Sequence, residues 1–339
     1  MREDLSRMRI AIDAMGGDNA PGEIVKGAMD AVRLYGVDIT LVGDQKAIRK
    51  AMPRSGDVRA QILHTEEAIR MSDPASAFRS KKDASLVLCA EMVRNGEAQA
   101  MISAGNTGAA MAVAIFKLGR IEGIERPAIG TELPALTGRT LMIDAGANSD
   151  CDVENLTQFA LMGAVYAEKV MCIASPRVAL LSIGEEECKG NDLTKQAHAA
   201  LSVSGLNFIG NVEGRHLFSG TADVIVCDGF TGNVALKSAE GLGEYVFETV
   251  KEDLRQHPLV RTLLGPAVKR LKERVDYSEY GGAPLFGTNG ICVIGHGRSN
   301  AKAISNAVRV AVRAVDQDII RAISASLRMV APRSAKVVG

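Results

Sequence analysis

The sequence predicts an α/β fold, a mainly parallel sheet sandwiched by helices. Three observations predict it. Short β-rich apolar runs alternate with longer helical patterns along almost the whole chain, the order that parallel strands with helical crossovers require. Hydrophobic residues make up 47% of the 339, enough to bury a sizeable core and too many for wholesale disorder. Glycine is 34 of 339, above the usual ~7%, and it recurs where an expected strand hands over to an expected helix.

The first strand is Arg9–Asp13, followed by a helix over Pro21–Leu34. A second strand covers Ile39–Gly43, with a short helix running through Met52. Later strands are expected at Ala100–Ser103, Arg139–Asp144, Arg177–Ile183, Asn207–Ile209, Asp223–Cys227 and Ile291–Ile294. Helices fit between them at Glu154–Lys169, Asp192–Val203 and Val234–Arg255. No internal repeat or low-complexity linker marks a boundary. Residues 1–339 therefore read as one large α/β unit, with no internal lobe split resolved.

Charge and cysteine usage exclude several classes. Forty Lys+Arg balance forty Asp+Glu, which argues against a general nucleic-acid binder. The six cysteines are scattered, without a CxxC pair or a His/Cys cluster at metal spacing, so reduced, packed thiols in a cytosolic protein and no metal are expected. The longest apolar stretch, Gly108–Phe116, falls far short of the roughly 20 residues of a membrane span.

The Gly-rich segments are Asp13–Pro21, Ser103–Gly108, Asp144–Asn148, Gly184–Asn191, Asp228–Asn233, Gly281–Gly287 and Gly295–Ser299. All are expected as loops at one edge of the sheet, stocked with Asn, Thr, Ser, Asp and one Lys. Free backbone N–H groups at helix starts seat anions. None of these loops is a Walker A or a complete GxGxxG, so an ordinary nucleotide site is not indicated.

In order, these segments read DAMGGDNAP, SAGNTGA, DAGAN, GEEECKGN, DGFTGN, GGAPLFG and GHGRS. The set resembles the phosphate acyltransferases of bacterial phospholipid synthesis, from about Met8 to about Arg328. One departure is Phe286, where that family commonly has Leu. The resemblance implies a fold like isocitrate and isopropylmalate dehydrogenases and phosphotransacetylases, assembled as a homodimer. It implies acyl transfer from acyl carrier protein to inorganic phosphate, without a cofactor. The acyl phosphate would pass to a membrane acyl-phosphate:glycerol-3-phosphate acyltransferase.

Phosphate is already a nucleophile and a thioester already has a tolerable leaving group. Such an enzyme needs a phosphate seat, an aligned attack and donors for the developing oxyanion. Lys189, after Glu185, Glu186 and Glu187, is the first candidate cation; pairing with those glutamates is the competing account. Asn233 is a candidate donor to the thioester carbonyl or phosphate, or else a cap on the next helix. Asp228 would orient Lys189 or a loop amide. Asn106 and Thr107 could seat an anion or cap a helix. Asp13, and Asp18 in the same loop, suit positioning by hydrogen bonds. Asn148 is a candidate pocket donor. His296 and Arg298 are candidate phosphate contacts. Cys188 is read as a bystander, with no activating His nearby in sequence.

Residues 256–274 form a candidate helical hairpin tip. Leu259, Val260, Leu263 and Leu264 supply an apolar end, and Lys269 and Arg270 belong to its basic flank. Such a tip suits an anionic membrane surface, acidic acyl carrier protein or a dimer partner. The expected location is therefore cytoplasmic with peripheral membrane contact. Two other functions stay open: a phosphotransacetylase-like enzyme using acyl-coenzyme A, and a membrane-associated scaffold of lipid synthesis. A decarboxylating dehydrogenase lacks the acidic metal cluster it would need.

Overall fold

The computed structural model describes residues 8–53, 59–275 and 281–330. Its eleven strands are β1 (Arg9–Asp13), β2 (Asp38–Gly43), β3 (Ala60–His64), β4 (Ala100–Ser103), β5 (Ala128–Pro134), β6 (Arg139–Ile143), β7 (Val178–Leu181), β8 (Phe208–Val212), β9 (Val224–Val226), β10 (Ala283–Phe286) and β11 (Ile291–Ile294). They form one sheet in the order β3-β2-β1-β4-β11-β10-β5-β6-β9-β7-β8. The helices are α1 (Gly22–Tyr35), α2 (Gln45–Ala51), α3 (Ser85–Arg94), α4 (Thr107–Val113), α5 (Val153–Lys169), α6 (Asp192–Ser202), α7 (Gly229–Gln256), α8 (Pro258–Val275), α9 (Ala301–Asp316) and α10 (Ile319–Val330).

Side chains alternate across a strand, so the central strands feed two cores. Ile10, Ile12, Ile102, Leu141, Ile143, Val224 and Val226 point to one core. Ala11, Met101, Met142, Ile225 and Cys292 point to the other. This double burial explains why the strands read as continuous apolar runs.

The sheet is mainly parallel, but three successive antiparallel pairings interrupt it. Strands β3, β2, β1, β4 and β11 pair in parallel, as do β6, β9, β7 and β8. Between these blocks, β10 is antiparallel to β11 and β5, and β5 is antiparallel to β6. The two blocks therefore run in opposite senses. This corrects the expectation of a single loop edge: loops after β1, β4 and β11 leave from one edge, and those after β6, β9 and β7 from the other.

The Gly281–Gly287 segment is also corrected. It contains the strand β10, not a strand-to-helix loop. Phe286 is buried against Tyr166, ring centroids 5.0 Å apart, and so packs the core. The cysteines divide: Cys89, Cys227 and Cys292 are buried, Cys151 is half-buried, and Cys172 and Cys188 are exposed, so not every thiol is packed away.

Helix α7 starts at the second block's loop edge, after β9. Only Gly229 and Gly232 of its residues are buried. Ala235 and Leu236 pack partly against the second core. Beyond them α7 and α8 form a two-helix projection, whose described side chains are half-buried or exposed. The projection is longer than the 256–274 tip expected from sequence. No helix among the described residues is long and apolar enough to cross a membrane.

Candidate active site

Most of the candidate residues fall into two clusters joined by α7, and Lys189 lies on the separate loop after β7. The first forms around Asp13, buried at the end of β1. Its carboxylate accepts from Ser85 Oγ at 2.6 Å and Ser103 Oγ at 2.7 Å. Burial pushes this carboxyl above its ordinary pKa, against the opposing pull of those hydrogen bonds. Asp18 N donates to Gly297 O at 2.8 Å, and Asn19 Nδ2 approaches Arg298 O and Ser299 O at 3.3 Å each. The three loops after β1, β4 and β11 thus hold one another. Asp13 braces these loops through its carboxylate and Asp18 through its backbone N–H.

Asn106 and Thr107 stand at the start of α4. Asn106 Oδ1 caps the helix by accepting from Ala109 N, and its Nδ2 donates to Met71 O at 3.0 Å and Asp73 O at 2.9 Å. Both amide protons are thereby used to hold the 71–73 segment. Thr107 is exposed at the first helical position.

His296 and Arg298 complete this cluster. Arg298 N donates to His296 Nδ1 at 3.1 Å. Burial, then the neighbouring Lys237 ammonium, pushes His296 below the ordinary imidazole pKa. Arg298 lies 3.7 Å from Glu244 of α7.

The second cluster is built on Asp144. Its buried carboxylate accepts from Ile129 N at 3.0 Å, Gly146 N at 3.2 Å and Ala147 N at 3.0 Å. It also accepts from Asn148 N at 2.7 Å and Asn148 Nδ2 at 2.8 Å. The second Asn148 amide proton goes to Pro127 O at 2.8 Å. Both donors of Asn148 are spent inward, which displaces it from the pocket-donor role expected from sequence. Burial pushes the Asp144 carboxyl upward as well.

Asp228 caps α7 by accepting from Thr231 N at 2.8 Å and Thr231 Oγ1 at 2.6 Å. That leaves Asn233 out of the capping role. It sits exposed on α7 over the 144–148 loop, where a Cβ on Gly146 would come 2.7 Å from Asn233 Nδ2. Helix α7 enters this close because Gly229 N donates to Asn148 O at 2.7 Å, and because Gly232 lacks a side chain that would run into the Asp144 carbonyl.

Lys189 lies in the loop after β7, just ahead of Asn191, which caps α6. It is exposed, and its ammonium makes no ion pair or hydrogen bond among the described residues. Glu185 instead pairs with Arg215 at 3.0 Å. The sequence account in which the glutamates neutralise Lys189 is not what the loop adopts.

No thiol is poised as a nucleophile at Asp144. Burial pushes Cys151 up to about 11, and Cys227 rises for the same reason.

Of the tip residues, Leu264 is exposed, as are Lys269 and Arg270. The side chains of Leu259, Val260 and Leu263 lie outside the described residues. Lys237, which touches His296, carried no sequence signal of its own, because it falls inside an ordinary helical pattern rather than a glycine loop.

A family model described as "Fatty acid synthesis protein" matches residues 8–322. A relative named phosphate acyltransferase from Pelotomaculum thermopropionicum is 50% identical over 333 residues, covering 97% of each chain. One of the same name from Heliobacterium modesticaldum is 53% identical over 323 residues, covering 93% of this chain and 96% of its own. Among solved structures, a phosphotransacetylase from Streptococcus pyogenes aligns with a TM-score of 0.62 at 16% identity, over 96% of this chain and 97% of its own. A structure from Salmonella typhimurium described as a 4-hydroxythreonine-4-phosphate dehydrogenase aligns with a TM-score of 0.52 at 12% identity, over 91% and 99%. These last two likenesses establish a shared fold.

Proposed function

The chain belongs to the fatty acid synthesis protein family of phosphate acyltransferases, and from that membership we propose that it transfers a long-chain acyl group from acyl carrier protein to inorganic phosphate. The observation that carries the site assignment is the ammonium of Lys189, which has no partner among the described residues although its loop is rich in carboxylates.

A phosphate oxygen attacks the thioester carbonyl carbon directly. The carbonyl π electrons move to oxygen, giving a tetrahedral oxyanion. On its collapse the C–S bond breaks, the carrier thiolate leaves with the electron pair, and the thiolate takes a proton from solvent. The product is acyl phosphate. Lys189 offsets phosphate charge and aligns it, since positioning can supply up to roughly 7–11 kcal/mol of barrier reduction. Asn233 Nδ2 donates to the carbonyl oxygen as it gains charge. Asp228 is a positioning residue, acting through the start of α7. Thr107, His296 and Arg298 are the substrate contacts of the first cluster, with Asn106 and Asp13 fixing its loops. Direct attack suits a site whose Cys151 and Cys227 thiols stay protonated.

The projection of α7 and α8 is the surface for carrier protein or membrane. Leu264 and Leu271 are 51% and 53% exposed beside the cations Lys269 and Arg270. That mixture suits an anionic lipid surface, and with it delivery of an apolar product to a membrane acyltransferase. A homodimer with peripheral membrane contact is the working assembly. The testing experiment is substitution of Lys189 by Ala: phosphate-dependent formation of acyl phosphate should be lost while the thermal midpoint holds. Wild-type turnover in that variant removes Lys189 from the site.

A further inference from the structure

Lys237 follows Asn233 by four residues, so the two share one face of α7 about 6 Å apart along the axis. Asn233 lies over the second cluster. Lys237 reaches the first, where its Nζ stands 3.4 Å from His296 Nε2. The same face of one helix therefore touches both groups of candidate residues.

The contact is chemically informative. His296 Nδ1 accepts the Arg298 N–H, so in the neutral ring the proton sits on Nε2. An ammonium carries donors only. Two donors consequently meet, and an oxygen that accepts from both is the group that suits them. Glu240 takes one of the three ammonium protons, at 2.6 Å, which leaves two for other acceptors. Arg298 adds a guanidinium to the same loop. Asp18, Glu240 and Glu244 surround these cations, so the seat selects through convergent donors more than through bulk positive charge.

We propose that Lys237 Nζ and His296 Nε2 hold a phosphoryl oxygen between them, making Lys237 a phosphate-binding residue. The inference rests on acyl transfer to phosphate as the reaction. It places the phosphoryl group against the α7 face, one helical turn from the Asn233 amide that serves the carbonyl. Inorganic phosphate and the phosphoryl end of acyl phosphate present the same oxygen chemistry, so the seat serves the substrate entering and the product leaving.

The test uses the full chain with Lys237→Ala, Lys237→Arg and Glu240→Gln. Two readouts are taken: steady-state acyl phosphate formation at varied phosphate, and equilibrium dialysis with radiolabelled inorganic phosphate alone. Lys237→Ala should raise the phosphate KM and Kd about tenfold or more, with the acyl-donor KM unchanged. Lys237→Arg should recover most of that loss. Glu240→Gln should leave phosphate binding equal or tighter. A phosphate Kd for Lys237→Ala within about twofold of wild type overturns the proposal. If wild type binds phosphate but forms no acyl phosphate, the reaction assignment fails and the dialysis still decides the seat. Should Lys237→Ala not fold, Lys237→Gln carries the same comparison.

Discussion

The side-chain amide of Asn148 donates to Asp144 Oδ2 at 2.8 Å while its other proton goes to Pro127 O at 2.8 Å. A buried carboxylate and a buried amide thus complete each other at the end of β6, and the 145–148 loop is wound around them. Asp144→Asn keeps the shape but turns a donor toward Asn148. A buried donor left unsatisfied costs about 1–3 kcal/mol. Urea unfolding should show a loss of that size, coupled to Asn148→Ala in a double-mutant cycle. Additive losses from the two substitutions would mean that the pair is not a unit.

Asn233 is exposed and caps no helix, so Asn233→Ala should leave the thermal midpoint unchanged. Loss of an oxyanion donor lowers kcat by about 10²–10³. Gly146→Ala tests the same point from the other side. Its φ of +134° disfavours a side chain, and the new Cβ would press on Asn233 Nδ2. Its kcat should fall by about tenfold or more, whatever its stability. Normal kcat in both variants would remove Asn233 from the chemistry.

Arg177, ahead of β7, grips Asp223 through Nε at 3.0 Å and Nη2 at 2.9 Å, and its backbone N adds a bond at 2.8 Å. Burial alone would raise the Asp223 pKa; the Arg177 hydrogen bonds and charge outweigh it and hold it low. A carboxyl depressed on folding contributes stability above its unfolded pKa of about 3.9 and loses it as pH falls through the folded value. Arg177→Ala should cost about 1 kcal/mol at pH 7, because the guanidinium is partly exposed and screened. The gap to wild type should close as pH drops below about 4. A gap that persists unchanged at pH 3 contradicts the electrostatic origin.

Leu264→Glu with Leu271→Glu should weaken cosedimentation with anionic vesicles about tenfold or more, since burying two half-exposed leucines contributes on the order of 2 kcal/mol. Unchanged vesicle binding together with dissociation of the proposed dimer would assign the projection to subunit contact instead.

Much of the fold was legible because the central strands are buried on both faces. Ile291–Ile294 reads as a strand from its apolar run and is one to the residue. Strand direction was not legible: periodicity is the same whichever way a strand runs, so the reversal at β10 and β5 left no trace in Arg139–Ile143. Glycine loops marked where to look for a site, and the clusters at Asp13 and Asp144 are built from them. They did not say which side chains face outward. Asn148 looked like a donor for ligand and is used up by Asp144 and Pro127. For Lys189 the sequence left two accounts open, a phosphate cation or a partner of its neighbouring glutamates; Glu185 turns instead to Arg215, thirty positions along the chain. Lys237 needed the third dimension, since His296 lies on a different strand's loop.

The most direct measurement is mass-spectrometric. The purified protein is incubated with long-chain acyl carrier protein and inorganic phosphate, and acyl phosphate and free carrier thiol are quantified, with Lys189→Ala alongside. Acyl phosphate that requires both phosphate and protein, released one-for-one with carrier thiol and absent from Lys189→Ala, is the expected result. A folded wild-type protein that forms none from acyl carrier protein, or a Lys189→Ala variant that forms it at the wild-type rate, would contradict the mechanism.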